Sequence, residues 1–412
     1  MSIDMRTRDD AVEPPPVDPE AFFDADLPDL FARAAGLVAP GLSLLDPAPV
    51  AIEVGDRSWL LEASGTGEPH VTAETGRRGA AAEAGRLRLT PEQLHDLVHD
   101  QVTAMGLFSA GRIDVSRVRL DHVLHWWLAL RSALDQVPVH TPGAVETLDA
   151  DGRPLDLKRS FDPDDDRAEM ARFLEAAGFL HVRGMYTESE MRQVELDMDA
   201  AAPDYSPGDG RSWWARTDGG VSRLVRMQYF DRKSETVAAM LDDDRFQSLA
   251  GLPGCGHVAR PHDHTNRIEA LFKPLGVVEG ISDVPWHKDC SLGRHSYECC
   301  GITVGFSVTG AGPDSGQLRV IAGSHRALVW PALLQPGLDL EEVELPTERG
   351  DVTLHLSCTL HMAQPPTERE RRVMYTSFTL PPVDAGATSA ARRRLGALRE
   401  AAPVSVSQPA AR

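Results

Sequence analysis

His287-Lys288-Asp289 sets an imidazole and a carboxylate two residues apart. In an extended segment such residues point to the same face, so both can grip one ion. An H-x-D tripeptide is common by chance in a chain with 15 histidines, and alone it reads equally well as a surface pair. His361 changes its weight. It lies several short strands downstream and precedes a further strand that opens with Arg371-Arg372. Two imidazoles and one carboxylate on one face leave three coordination positions open, the arrangement of non-haem Fe(II) oxygenase centres. A bidentate 2-oxo acid and O2 would together need those positions. Arg372, eleven residues after His361, supplies a planar fork suited to a distal carboxylate. The plain alternative is that ERERR, Glu368 to Arg372, is a solvated charge run.

Other polar positions carry less. Lys273, one of only four lysines, sits on a strand just before the first motif and is a candidate for the co-substrate or for the surface. Gln228, in RMQYF, is a pocket candidate of the same kind. Trp213-Trp214 lies in a Gly-rich stretch, GDGRSWWARTDGG, that reads as a substrate lid or as a plug under a loop. His257, His262 and His264 read as a polar loop. His325, in GSHR, reads as a turn-stabilising residue. His95 and His99 fall at i and i+4 on a helix as in a zinc protease, but Asp96 stands where Glu is required. The face of Leu94, Leu97 and Val98 explains that helix without metal. No P-loop, dinucleotide fingerprint or G-x-S-x-G elbow is present.

The elements that must position these residues fall into two units. The first 26 residues, acidic and Pro-rich, read as a disordered tail without the apolar core of a signal peptide. Residues 27–137 form a small α/β unit. It comprises a helix from Leu27 to Ala35, a hairpin of VAIEV and SWLLE turning at Gly55-Asp56, strands PHVTAE and GRLRL, and helices Thr90 to Met105 and Asp121 to Leu134. Residues 138–164, rich in Pro, Asp and Gly, read as a linker. Residues 165–385 begin with a helix, a strand and a helix, then turn into short strands separated by turn residues, the signature of a sandwich or barrel. Residues 386–412 read as a second tail.

Composition excludes whole classes of partner. A formal charge of -20 makes nucleic acid and anionic lipid poor general partners. No stretch approaches 18 consecutive apolar residues, so no membrane insertion is expected. Five cysteines without a C-x-x-C fit a reducing, cytoplasmic setting. The expected partner is a small-molecule substrate, and a homodimer is allowed.

Residues ~166–381 resemble the phytanoyl-CoA dioxygenase family of Fe(II)/2-oxoglutarate oxygenases. The resemblance rests on MARFLEAAGFLHVRGMYTESEM, VPWHKD, GPDSGQLRVIAGSHR and RGDVTLHLSCTLHMAQPPTERERRVMYTSF, four motifs in the family's order. It implies a double-stranded β-helix (jelly roll) with flanking helices. It also implies His287, Asp289 and His361 on Fe(II), Arg372 on the tail carboxylate of 2-oxoglutarate, and O2 as oxidant. Two departures stand out. Ala363 occupies a place where many members carry Ser, with Ser377 or Tyr375 as substitutes, and Pro285-Trp286 stands where a Gln is frequent. That leaves Trp286 beside the substrate. Asp289 argues for hydroxylation or another oxidation, because halogenating relatives lack the carboxylate. Residues 27–137 resemble the sterol-carrier-protein type 2 lipid-transfer domain through AIEVGDRSWLLE, GRLRLTPEQLHDLVHD and MGLFSAGRIDVSRVRLDHVLHWWLAL. That likeness implies a hydrophobic tunnel and an apolar or acyl-carrying substrate. The competing readings are a lipid carrier fused to a barrel that no longer turns over, and a cupin-like metal enzyme that needs no 2-oxo acid.

Overall fold

The computed structural model describes residues 14–74, 85–262, 266–280, 283–291 and 301–381, with positions 393 and 397 beyond them. The amino-terminal unit is a four-stranded sheet of β1 (Val50–Val54), β2 (Arg57–Ala63), β3 (Pro69–Ala73) and β4 (Gly85–Leu89) in the order β3-β2-β1-β4. β1 pairs antiparallel with β2 and parallel with β4. Helices cover the sheet. Pro91–Val98 starts at a capping box between Thr90 and Gln93, and Leu120–Asp135 buries Leu124, Trp127 and Leu128. The expected single helix from Thr90 to Met105 is two helices. Asp100 takes a left-handed φ of 55°, and Thr103 caps a new helix, Ala104–Ser109.

The helical start lies at Pro19, inside the stretch expected to be a tail. Phe22 and Phe23 are buried, Phe23 stacks on Trp59, and Asp24 accepts the Trp59 indole N–H at 2.6 Å. Apolar burial holds this segment down despite its acidic flank. Residues 138–164 are likewise fastened. Val139 bridges Leu328, Phe161 bridges Val182 and meets Phe173 edge to face, and the His140 ring meets Asp339 at 2.7 Å.

The larger unit holds β5 (Phe179–Val182), β6 (Ser212–Thr217), β7 (Ser222–Met227), β8 (Val258–Ala259), β9 (Glu269–Lys273), β10 (Val277–Glu279), β11 (Gly301–Ser307), β12 (Leu318–Ile321), β13 (Glu342–Leu345), β14 (Val352–Leu356), β15 (His361–Ala363) and β16 (Arg371–Thr379). A nine-stranded sheet runs β10-β6-β7-β9-β16-β11-β14-β5, with β8 beside β16. A three-stranded sheet runs β13-β12-β15. Every pairing in both is antiparallel, consistent with a jelly-roll core. One face of the large sheet carries Ile302, Val304, Phe306, Met374 and Phe378 into a core completed by helices, with Phe246 stacked on Phe378 at 4.6 Å. The other face looks inward, toward the small sheet.

Gly178 ends the helix Arg167–Ala177 at φ 84° and lets the chain pass close to the His325 ring. A Cβ there would lie 2.4 Å from His325 Nδ1, so glycine is required both for conformation and for space. His325 itself bonds the Glu175 carbonyl at 2.9 Å, near the end of that helix.

Two large apolar clusters form among the described residues, one in each unit. The amino-terminal one includes Leu328, Trp330 and Ala332, which belong to the barrel by sequence. Among the described residues no helix is long and apolar enough to cross a membrane.

Candidate metal centre

Asp289 follows a short extended segment that runs against β15. His287 N–H donates to the His361 carbonyl at 3.0 Å, and His361 N–H returns the bond at 2.9 Å. This backbone pair sets the two imidazoles side by side, with ring centroids 4.2 Å apart. Asp289 N–H is held by the Ser357 carbonyl at 2.8 Å. Between them Lys288 turns the other way and is fully buried, its ammonium donating to the Ser324 carbonyl at 2.9 Å. Alternation along the strand thus separates ligand face from anchoring face.

His287, Asp289 and His361 offer ligand atoms that all lie within 4.8 Å of one another, the only such group among the described residues. Asp289 Oδ1 stands 3.7 Å from His287 Nε2 and 3.5 Å from His361 Nε2. Each ring has its other nitrogen on a backbone carbonyl: His287 Nδ1 on Pro285 at 2.7 Å, and His361 Nδ1 on Thr359 at 3.0 Å. Donation by Nδ1–H leaves Nε2 unprotonated and turned inward, the tautomer a metal ligand needs.

A third of the Asp289 side chain stays open to the cleft. Burial alone would raise its pKa, but His361, His287 and His355 outweigh it and hold the carboxyl well below the ordinary range. His361 is pushed well below the usual imidazole value by burial, then by His355 and His287. A carboxylate and neutral imidazoles are the forms that bind a cation.

The large sheet presents its inner face to this group. Thr303 on β11 donates its hydroxyl to Asp289 Oδ2 at 2.6 Å. Ser377 pairs with Thr303 in the sheet register and accepts from Arg260 Nε at 2.9 Å. Counting by twos from Ser377 along β16 gives Tyr375, Val373 and Arg371, which therefore share the inner face. Arg371 is buried, and its Nε and Nη2 have no hydrogen-bond partner among the described residues. It pairs with Lys273 of β9, also buried, whose ammonium is 3.6 Å from Asp283.

Arg372 faces away from the centre. It ion-pairs with Asp199 at 2.9 Å, donates to the Glu195 carbonyl at 3.0 Å and lies over the Phe272 ring, all on the helical side of the sheet. The expectation that Arg372 reaches into the site fails because adjacent strand residues take opposite faces. Gln228 is buried and donates to Glu269 at 3.2 Å. Trp213 and Trp214 lie in a strand and not in the loop expected of them. They lie in β6, paired with β7, with Arg226 over the Trp213 ring and the Trp214 indole on Ser212. Trp286 packs against the cluster of Ile321, Val329 and Leu360, and its carbonyl accepts from Leu333 N–H.

His262 Nε2 lies 2.9 Å from Asp242 and its Nδ1 accepts from Arg267 at 2.9 Å, while His264 lies outside the described residues. His95 and His99 rings sit 4.6 Å apart, and His99 bonds the Pro15 carbonyl. Three residues at the site were not singled out by sequence: Arg371, Thr303 and His355. Met374 and Phe378, apolar on the opposite phase of β16, are the signal that turns Arg371 inward.

Residues 174–373, just under half of the chain, match the family model described as phytanoyl-CoA dioxygenase (PhyH). No curated protein matches the chain. Similar solved structures include the epimerase SnoN in complex with Fe3+, alpha ketoglutarate and nogalamycin RO. It is 16% identical with a TM-score of 0.40 over 52% of this chain and 83% of that one. EctD from S. alaskensis with 2-oxoglutarate and 5-hydroxyectoine is 15% identical with a TM-score of 0.42, over 52% and 77%. The carbocyclase SnoK is 17% identical with a TM-score of 0.41, over 55% and 92%. At these identities the likeness bears on neither substrate nor reaction.

Proposed function

We propose that this chain is an Fe(II)- and 2-oxoglutarate-dependent oxygenase that hydroxylates a C–H bond of a small molecule. The observation that carries the reading is the pairing of an open three-donor metal face with a buried, unsatisfied guanidinium on the same inner surface. A buried cation lacking partners is costly and calls for an anion. A dicarboxylate with one end on the metal answers that call. His287, Asp289 and His361 hold the iron, Arg371 and Lys273 take the tail carboxylate, and Ser377 borders the co-substrate. Iron held there would supply, with 2-oxoglutarate and O2, the oxidising chemistry. The chain holds the ligand tautomers, excludes water on the sheet side and keeps the Asp289 side open to substrate.

The inner face beyond the centre carries Trp213, Arg226, Glu269 and Tyr375. It supports a substrate with hydroxyl or amide groups beside an apolar part, more polar than a fatty chain. The carrier reading finds less support. The cavity in the amino-terminal unit is lined by Phe22, Phe31, Leu61, Leu94 and Trp126 among others, yet measures about 60 Å³. Small-molecule pockets run to about 300–1,000 Å³. We read that unit as packing for the metal motif.

The test is an anaerobic titration of the Fe(II)-loaded protein with 2-oxoglutarate, followed by its visible charge-transfer band. The band is expected in wild type and absent in Asp289→Ala. Folded, iron-binding wild-type protein without a band would overturn the 2-oxoglutarate assignment and favour a metal enzyme that uses no 2-oxo acid.

A pH dependence follows from Lys273. Burial first, then Arg371 beside it, brings its pKa down to about 7. The unfolded chain keeps that proton up to about 10.4, so stability rises with pH between the two values. A carboxylate prefers the ammonium form, so the Kd for 2-oxoglutarate should rise with pH above about 7. Lys273→Met should flatten the profile in calorimetric titrations on either side of that pH, and an unchanged slope would remove Lys273 from the site.

A further inference from the structure

His355 lies on β14, on the inner face, opposite Thr303 in the register. It is 1% exposed, and neither ring nitrogen has a hydrogen-bond partner among the described residues. Its ring centroid is 4.0 Å from that of His361, and its Nε2 is 3.6 Å from Asp289 Oδ2. The two oxygens of Asp289 thus have different surroundings. Oδ1 faces the Nε2 atoms of His287 and His361, whereas Oδ2 accepts from Thr303 and faces His355. His355 is not among the three donors that share the 4.8 Å radius.

We propose that His355 is a positioning residue for the metal-binding carboxylate. Together with Thr303 it holds Oδ2 away from the ion, so that Asp289 binds through Oδ1 alone. The physical reason is the number of open positions. A carboxylate free to rotate can bind through both oxygens and occupy a site that a bidentate co-substrate and O2 need. Two donors on the outer oxygen oppose that rotation. A buried imidazole without a partner is itself unfavourable, and closing the present 3.6 Å gap to hydrogen-bond distance satisfies both groups. The inference rests on the metal reading of the triad.

The experiment is a Co(II) titration of the metal-free full-length protein without 2-oxoglutarate, recording affinity and the visible spectrum of the bound ion. His355→Asn keeps a polar side chain but has no donor at the Nε2 position. His355→Gln restores one. Asn should weaken Co(II) binding by roughly 10–100-fold and change the band pattern as Asp289 turns, while Gln recovers most of both. A role in packing alone would not separate Asn from Gln in this way. Wild-type affinity and spectrum in folded His355→Asn would overturn the proposal. Should Asn fail to fold, Thr303→Val acts on the same oxygen, and its spectrum should shift in the same sense; an unshifted spectrum overturns the proposal equally. Asp289→Ala separates the two levels of the argument. If it binds Co(II) as well as wild type does, the metal reading fails and takes the proposal with it.

Discussion

Arg371→Ala should raise the Kd for 2-oxoglutarate by about 100-fold, whereas Arg372→Ala should leave it nearly unchanged. The two arginines are adjacent in sequence and opposite in role. Arg371 is buried beside Lys273 with two guanidinium nitrogens unsatisfied, so a bound carboxylate makes contacts there that water does not already supply. Arg372 has its partners in Asp199 and the Glu195 carbonyl. The stability effects should run the other way. Without its anion, Arg371 adds repulsion to a buried lysine, and its removal should cost the metal-free protein little. Loss of Arg372 breaks a pair whose Asp199 side chain is 58% exposed, a cost of about 0–1 kcal/mol. Calorimetric titration with 2-oxoglutarate and urea unfolding of both variants check the pair of claims. A large binding loss in Arg372→Ala, with none in Arg371→Ala, would reverse the assignment of faces.

That assignment marks where sequence reasoning stops. The triad was legible because H-x-D in an extended segment has only one way to share a face, and His361 opens a strand whose partner is fixed by burial. Which of two neighbouring arginines looks inward depends on strand phase, and a slip of one residue reverses it. Residues 364–370 set that phase through backbone bonds from Thr367, Glu368 and Arg369 to the Asp314 carbonyl, a long-range contact that no local pattern encodes. His355 was hidden differently. DVTLHLS reads as a buried strand, as it is, and nothing local distinguishes a histidine packed in a core from one aimed at a carboxylate. Trp213-Trp214 misled because flanking Gly and Asp suggest a loop. Gly208 and Gly210 lie in the turn before β6 and Gly219 and Gly220 in the tight turn after it, where Gly220 has φ 73°, and the tryptophans belong to the strand between.

Trp330→Ala should destabilise the protein by about 3–5 kcal/mol, the range for truncating a buried large aromatic, and should weaken metal binding with it. The coupling follows from one extended segment. Leu328, Trp330 and Ala332 alternate into the core of the amino-terminal unit, and the His125 ring lies 5.3 Å from that of Trp330. The same segment carries the metal motif along its edge. The Pro331 carbonyl accepts from Lys288 N–H at 2.9 Å, Ala332 bridges His287, and Leu333 N–H donates to the Trp286 carbonyl at 2.7 Å. Thr103, capping a helix of the amino-terminal unit, also donates to the carbonyl of Ser291, two residues past Asp289. The amino-terminal unit therefore supports the ligand segment from behind. A unit that only delivered substrate would let Trp330→Ala change KM and leave Co(II) affinity untouched. Joint loss of stability and Co(II) affinity, with Co(II) binding measured well below the unfolding transition, is what the packed segment requires.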